Sequence, residues 1–305
     1  MTLRLRYSHS PESANRNVWW KLDSTAIREA SWATLVLVVA LGGTAATITN
    51  LNRADIFALT APVFDASGGF VQPTLVINLA LLVVIVGGVI LWFGGLRQRD
   101  IGLVSNRIPF GVAVTLGTWL LMQLTGAGVL LVRGEPLGPA ESWFVIGVLP
   151  ILGGFLAQIL GNALFEEVVY RAFLLPQIAM KLDRSLADVS SRMVFALALI
   201  GSQGIFAVIH VPARLVEGAA PGTLPFLIIG PFLIGTLLGL VYYRTGNLFV
   251  TIGLHALIND PVLLVNGGAI TLVPLVVVTL GVILLGPSID RRFDRHGLVP
   301  LRDVD

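Results

Sequence analysis

The chain has 305 residues, of which 55% are hydrophobic and only 12% charged, with a mean hydropathy of +0.85 and a net charge of +2. Soluble domains carry about 25% charged residues, so a soluble surface is excluded, and the wealth of Leu, Ile, Val and Phe excludes a disordered chain. Cysteine is absent, which removes disulfides, cysteine-ligated zinc, iron–sulfur clusters and thiol nucleophiles; the pI near 9.3 comes from a few surplus arginines and points to no nucleic-acid partner.

Residues 1–30 contain Arg4, Arg6, Arg16, Lys21 and Arg28 and read as a cytosolic tail, partly disordered or interfacial. The first apolar stretch starts too late for a cleavable signal peptide. A spanning helix needs about 20 mainly apolar residues. Stretches of that kind, or close to it, are predicted near 31–49, 74–95, 110–132, 143–165, 193–211, 224–243, 247–260 and 270–287. The seventh is short, and the fourth runs into charged residues. Residues 31–132 then hold transmembrane helices one to three and 133–287 helices four to eight, with a cytosolic tail at 288–305. With both ends inside, sixteen of the 20 basic residues fall in tails and loops on the cytosolic side, and Arg53, Arg133 and Arg214 alone lie outside. That bias obeys the positive-inside rule. The fold expected is an all-α polytopic membrane bundle of about eight helices with both termini cytosolic. There is no internal repeat, and the pairs Gly87-Gly88, Gly94-Gly95 and Gly153-Gly154 are read as close helix packing.

Ionisable groups at bilayer depth are costly and therefore functional or paired. Three clusters stand out, all between 160 and 260: Glu166-Glu167 with Tyr170-Arg171, Phe206 with His210, and His255 with Asn259. The first half offers only scattered Thr, Asn78 and Gln123. Glu167 and Arg171 are four apart with the acid first, the favourable order for an intrahelical ion pair. Glu166 lies about 100° round the helix and has no cation at i+4, which makes it the candidate general base and Glu167–Arg171 its brace. The bland alternative is a buried ion network that only holds helices together. Phe206 and His210 share one face, as do His255 and Asn259. Glu166, His210, His255 and Asn259 supply a base or metal ligand, two imidazoles and an amide donor. Such parts suit water activation and oxyanion stabilisation, and the reaction they suggest is peptide-bond hydrolysis.

The order Glu-Glu-x-x-x-Arg, Phe-x-x-x-His, His-x-x-x-Asn resembles the CPBP family, the CAAX-type prenyl endopeptidases and bacteriocin-processing enzymes also called Abi. The matching positions are Glu166, Glu167 and Arg171; Phe206 and His210; and His255 and Asn259. Ala172 departs from the pattern where many relatives carry glycine. The resemblance implies an eight-helix intramembrane endopeptidase whose conical cavity opens to the cytosol. It gives Glu166 and His210 the activation of water, and His255 and Asn259 the oxyanion. It leaves open whether zinc is held, by Glu166, His210 and His255, or whether a metal-free glutamate mechanism operates. His-Glu-x-x-His and Gly-x-Gly-Asp signatures of other intramembrane proteases are absent.

The implied partners are the lipid bilayer and a peptide or protein substrate, membrane-associated or of the prenylated type, arriving from the cytosolic side or the bilayer. The high Ala, Gly, Val and Arg usage suggests the cell membrane of a bacterium. Two readings from other classes stand beside the protease: a proton- or ion-coupled transporter, and a non-catalytic immunity or scaffold protein of the same fold. One geometric demand is sharp. His210 lies about 25 Å along its helix from residue 193, whereas Glu166 is expected at the cytosolic end of helix four. For the two to meet within a few ångströms or one water, 172–192 must dip into the membrane or helix five must tilt.

Overall fold

The computed structural model describes residues 27–186 and 188–294, with 286–294 as backbone. Helix fills most of them, and no strand occurs among the described residues. Six apolar stretches are long enough to cross a membrane: α1 (Trp32–Leu51), α3 (Pro73–Phe93), α4 (Gln98–Val132), α5 (Val148–Ser185), α6 (Ser191–Val216) and α7 (Pro221–Thr245). Two further helices, α8 (Leu248–Asn259) and α9 (Val273–Asp294), stand where the seventh and eighth spans are expected, with apolar stretches shorter than a span. A further helix, α2 (Arg53–Ala66), occupies what the sequence presents as a loop. Arg53, Asp55 and Asp65 break any apolar run there, so hydropathy gives no warning of it. Residues 1–26 and 295–305, with most of both predicted tails, lie outside the described residues. Helix α9 continues to Asp294, into the segment expected to begin a tail at 288.

Local chemistry sets the helix starts. Ser31 accepts from the Thr34 amide at the head of α1, and Ser190 from Met193 at the head of α6. Between α7 and α8 the chain reverses at Gly246, whose φ of +58° suits glycine, and Asn247 then caps α8 through the Phe249 amide. Just before α1 the chain is bound to α5. Glu29 pairs with Lys181 at 3.1 Å and also with Arg184, while Gln177 bridges the Ala30 amide and the Arg28 carbonyl.

Helix α5 corrects the expected depth of Glu166. It is a continuous 38-residue run that carries straight through the charged cluster, so Glu166 lies near its middle rather than at the end of a span closing at 165. The short turn 186–190 leads back along α6, and Leu175, Ala179, Val194, Ala198 and Leu199 pack the two helices antiparallel. From Glu166 to Ser185 and from Ser191 to His210 are equal lengths of helix, each about 28 Å at 1.5 Å per residue. The two residues therefore stand at similar depth with no need for a dip or a strong tilt.

Small residues set the close crossings. A Cβ on Gly153 would stand 2.2 Å from the Phe70 carbonyl oxygen, and one on Gly94 2.8 Å from the Thr34 methyl, whereas Gly87 and Gly88 meet only their own helix. The tightest approach joins α4 to α8, where Gly111 faces Phe249 and Gly253 faces Thr115. A Cβ at Gly253 would lie 1.6 Å from Thr115 Oγ1 and 2.8 Å from its Cβ. Gly253→Ala is expected to cost about 1–3 kcal/mol or more through overpacking and to displace His255, two residues on. Thermal unfolding of the purified variant checks the first effect. Adding Thr115→Ala, which removes Oγ1 and Cγ2 but leaves the Cβ at 2.8 Å, should restore part of the loss.

Candidate active site

Three wide, π-type stretches interrupt the regular helices of the bundle, and two of them, at Gln158–Asn162 and Glu167–Leu174, flank Glu166 on α5. Such widened turns gather at functional sites. The consequence here is two faces with different work. Asn162, Phe165 and Glu166 line a cavity of about 310 Å³, while Glu167 and Arg171 point into the core and are wholly buried.

His210 lines the same cavity, together with Ile209 and Ala213. His210 sits where α6 breaks, between the helical stretches ending at Val208 and starting at Val211. Its Nδ1 lies 2.7 Å from the Phe206 carbonyl oxygen. A carbonyl only accepts, so Nδ1 carries the proton and Nε2 is the ring's acceptor. Glu166 and His210 share the cavity without a direct hydrogen bond or ion pair. The cavity they share has room for on the order of ten waters at about 30 Å³ each.

Behind Glu166 a line of side chains runs into the core. Glu166 Oε2 is 3.5 Å from His255 Nε2, and His255 Nδ1 is 2.7 Å from Glu167 Oε1. Glu167 Oε1 is in turn 3.0 Å from Arg171 Nη1. The arginine lies over the Phe206 ring, 4.1 Å from its centroid. Phe206 also meets His210 edge-on at 4.8 Å and Tyr170 at 5.1 Å. The intrahelical pair expected from the spacing is thus formed. Glu166, expected without a partner, has one after all: a histidine from α8, which spacing within α5 could not reveal.

The set splits on a second point. His255 is 3% exposed, with one ring nitrogen on each glutamate, and lies outside the cavity lining. Asn259, one turn further along α8, is exposed and donates to Gln158 Oε1 at 3.0 Å. Neither stands free in the cavity as an oxyanion donor would. Zinc fits this arrangement poorly. Among the described residues no three His, Asp or Glu side chains gather closely enough to hold one ion, and His255 already has both nitrogens engaged.

The first half of the chain contributes more than its sequence suggests. Thr49 and Asn50 of α1, Arg53 and Phe57 of α2, and Thr74 and Asn78 of α3 complete the cavity wall. These scattered polar residues have no common spacing. Asn162, by contrast, was in reach of sequence reasoning, since it lies one turn before Glu166 on the same face.

Comparison with known proteins adds one finding. Residues 148–260 match the family model described as type II CAAX prenyl endopeptidase, Rce1-like. Over this segment the chain is similar to the Rce1-like family. The segment contains Glu166, Glu167, Arg171, Phe206, His210, His255 and Asn259, and it begins where α5 begins. Over this segment the chain is similar to membrane-embedded proteases of the general CAAX type, and its six helices of membrane-spanning length fit a multi-pass protein. No curated protein and no solved structure gives a significant match.

Proposed function

We propose that the protein hydrolyses a peptide bond inside the cavity, with Glu166 as the base that activates water and His210 as its proton-carrying partner across the cavity. The observation that carries this reading is that these two titratable side chains, 44 positions apart in sequence, line one cavity among the apolar helices. Glu166 takes a proton from the water, and the hydroxide oxygen attacks the scissile carbonyl carbon. As the tetrahedral adduct collapses, the C–N bond breaks and the amine leaves with the proton that Glu166 took from the water, passed on directly or by way of His210 Nε2. The products are a free amine and a carboxylate.

His255 acts here by holding Glu166. Its Nδ1–H is anchored on Glu167, whose charge Arg171 balances, so the ring presents Nε2 to Glu166 in a fixed orientation. Asn259 acts through Gln158, tying the end of α8 to α5. The substrate is a membrane-associated or prenylated-type peptide, as the Rce1-like match suggests.

The test is hydrolysis by purified protein in detergent or proteoliposomes, using fluorescence-quenched peptides with and without a prenylated tail, in ¹⁸O-labelled water. One ¹⁸O atom should enter the new carboxylate, and His210→Ala should suppress the reaction. Ion-driven uptake into proteoliposomes with no cleavage of any peptide would overturn the protease and favour a transporter.

A further inference from the structure

The cavity and most of the described basic residues lie at opposite ends of the bundle. Among the described residues, Arg28, Arg97, Arg99, Arg107, Lys181, Arg184, Arg192 and Arg244 gather at one end, where Lys181, Arg184 and Arg192 flank the α5–α6 turn and Arg244 lies near the α7–α8 turn. Arg107 ties its loop to that second turn through the Gly246 carbonyl, and Asn247 returns a hydrogen bond to the Arg107 carbonyl at 2.9 Å. The cavity occupies the other half. Its walls are the far end of α1, the start of α2, the start of α3, the first half of α5 and the break in α6. That end holds Arg53, Arg133 and Arg214 against Asp55, Asp65, Glu135, Glu141 and Glu217.

The core between the two ends is closed. Below Glu166 come Glu167, Tyr170 and Arg171, and then Ile90, Ile101 and Phe173, all between 0% and 2% exposed. A peptide approaching from the basic end meets packed side chains, whereas one approaching from the other end meets Asn50 and Arg53 and then Glu166. Basic residues in short loops are retained on the cytosolic face.

We infer that the active site is entered from the non-cytosolic face of the membrane, so that its substrates are exported or membrane-anchored peptides exposed on that face. This rests on the reading of the cavity as the site of hydrolysis, and it reverses the cytosolic opening that the resemblance implied. The mouth suits an extended peptide: Asn50, Arg53 and Thr74 offer polar contacts to its backbone, and Phe57, Ile77 and Leu81 offer apolar walls to its side chains.

The chain lacks cysteine, so single-cysteine variants of the full-length protein report sidedness cleanly. Asn50→Cys and Ala213→Cys mark the mouth, while Ser105→Cys and Asp188→Cys mark the basic end. Intact bacterial cells expressing each variant are treated with a membrane-impermeant maleimide. The expected result is labelling of the first two in intact cells and of the last two only after permeabilisation. The reverse pattern, or labelling of all four in intact cells, overturns the inference. Should a mouth variant fail to accumulate, the two at the basic end still decide, because their labelling in intact cells is itself disproof. Labelling reads orientation whatever the reaction, so failure here leaves the hydrolysis standing, and a failed ¹⁸O experiment leaves the orientation standing.

Discussion

Glu166→Gln is expected to lower peptide hydrolysis by roughly 10²–10⁴-fold, the usual contribution of a positioned general base, while the protein keeps its fold. Both halves of that expectation come from where the side chain stands. Glu166 faces the cavity, and its side-chain partner is His255 Nε2 at 3.5 Å. The amide is nearly isosteric and can still meet the imidazole, so the loss of one long contact should cost about 1 kcal/mol of stability at most. What the amide cannot do is take a proton from water. The deficit should fall on kcat with KM little changed, because the interaction removed acts in the transition state. It corresponds to about 2.7–5.5 kcal/mol at 1.36 kcal/mol per tenfold. The measurement is steady-state hydrolysis of the quenched peptide by wild type and variant, with thermal unfolding run in parallel. Undiminished turnover by a folded Glu166→Gln protein would remove Glu166 from the chemistry.

Why Glu166 and not its neighbour could be argued from sequence, because helix geometry separates adjacent residues by about 100°. An Arg at i+4 therefore neutralises Glu167 and leaves Glu166 to another face. The structure places Glu167 at 0% exposure against Arg171 and Glu166 on the cavity. The depth of the site was not legible in the same way. A hydropathy window ends where charge begins, so it closed the fourth span at 165, although Arg171 cancels Glu167 and lets the helix run on to Ser185. Partners from distant helices were out of reach too. His255 reaches Glu166 across 89 positions, and Arg53 or Asn50 enters the cavity only because α1 and α3 pack beside α5. Eight apolar segments were legible because composition alone marks them, but their mutual arrangement is fixed by glycine contacts that depend on which helices meet. The orientation of the cavity belongs to the same class. Charge placement in loops was readable from the start, and only the packing reveals that the opening lies at the other end.

The buried pair beneath the site supports the second large effect. Arg171→Met alone leaves the Glu167 carboxylate buried without its arginine, a change expected to cost about 3–5 kcal/mol and seen as a large drop in unfolding temperature or as loss of protein from the membrane. Combining it with Glu167→Gln removes both charges together. Replacing a whole buried ion pair by neutral groups of similar size is often neutral or stabilising, so the double variant should recover most of the lost stability, with the methionine still packed on Phe206. Hydrolysis should not recover with it. The 2.7 Å hydrogen bond between His255 Nδ1 and Glu167 is charge-assisted in the native protein, and a bond to a charged group is worth about 1.5–3 kcal/mol. Without the carboxylate the imidazole loses its anchored orientation and with it the hold on Glu166. At 1.36 kcal/mol per tenfold, turnover in the double variant should stay about 10- to 100-fold below wild type. The two readouts separate the two roles. A purely structural brace predicts that stability and turnover return together, and that joint recovery would reduce Glu167 and Arg171 to helix packing. Recovery of stability without turnover would mean instead that the buried pair reaches the reaction through the orientation it imposes on His255.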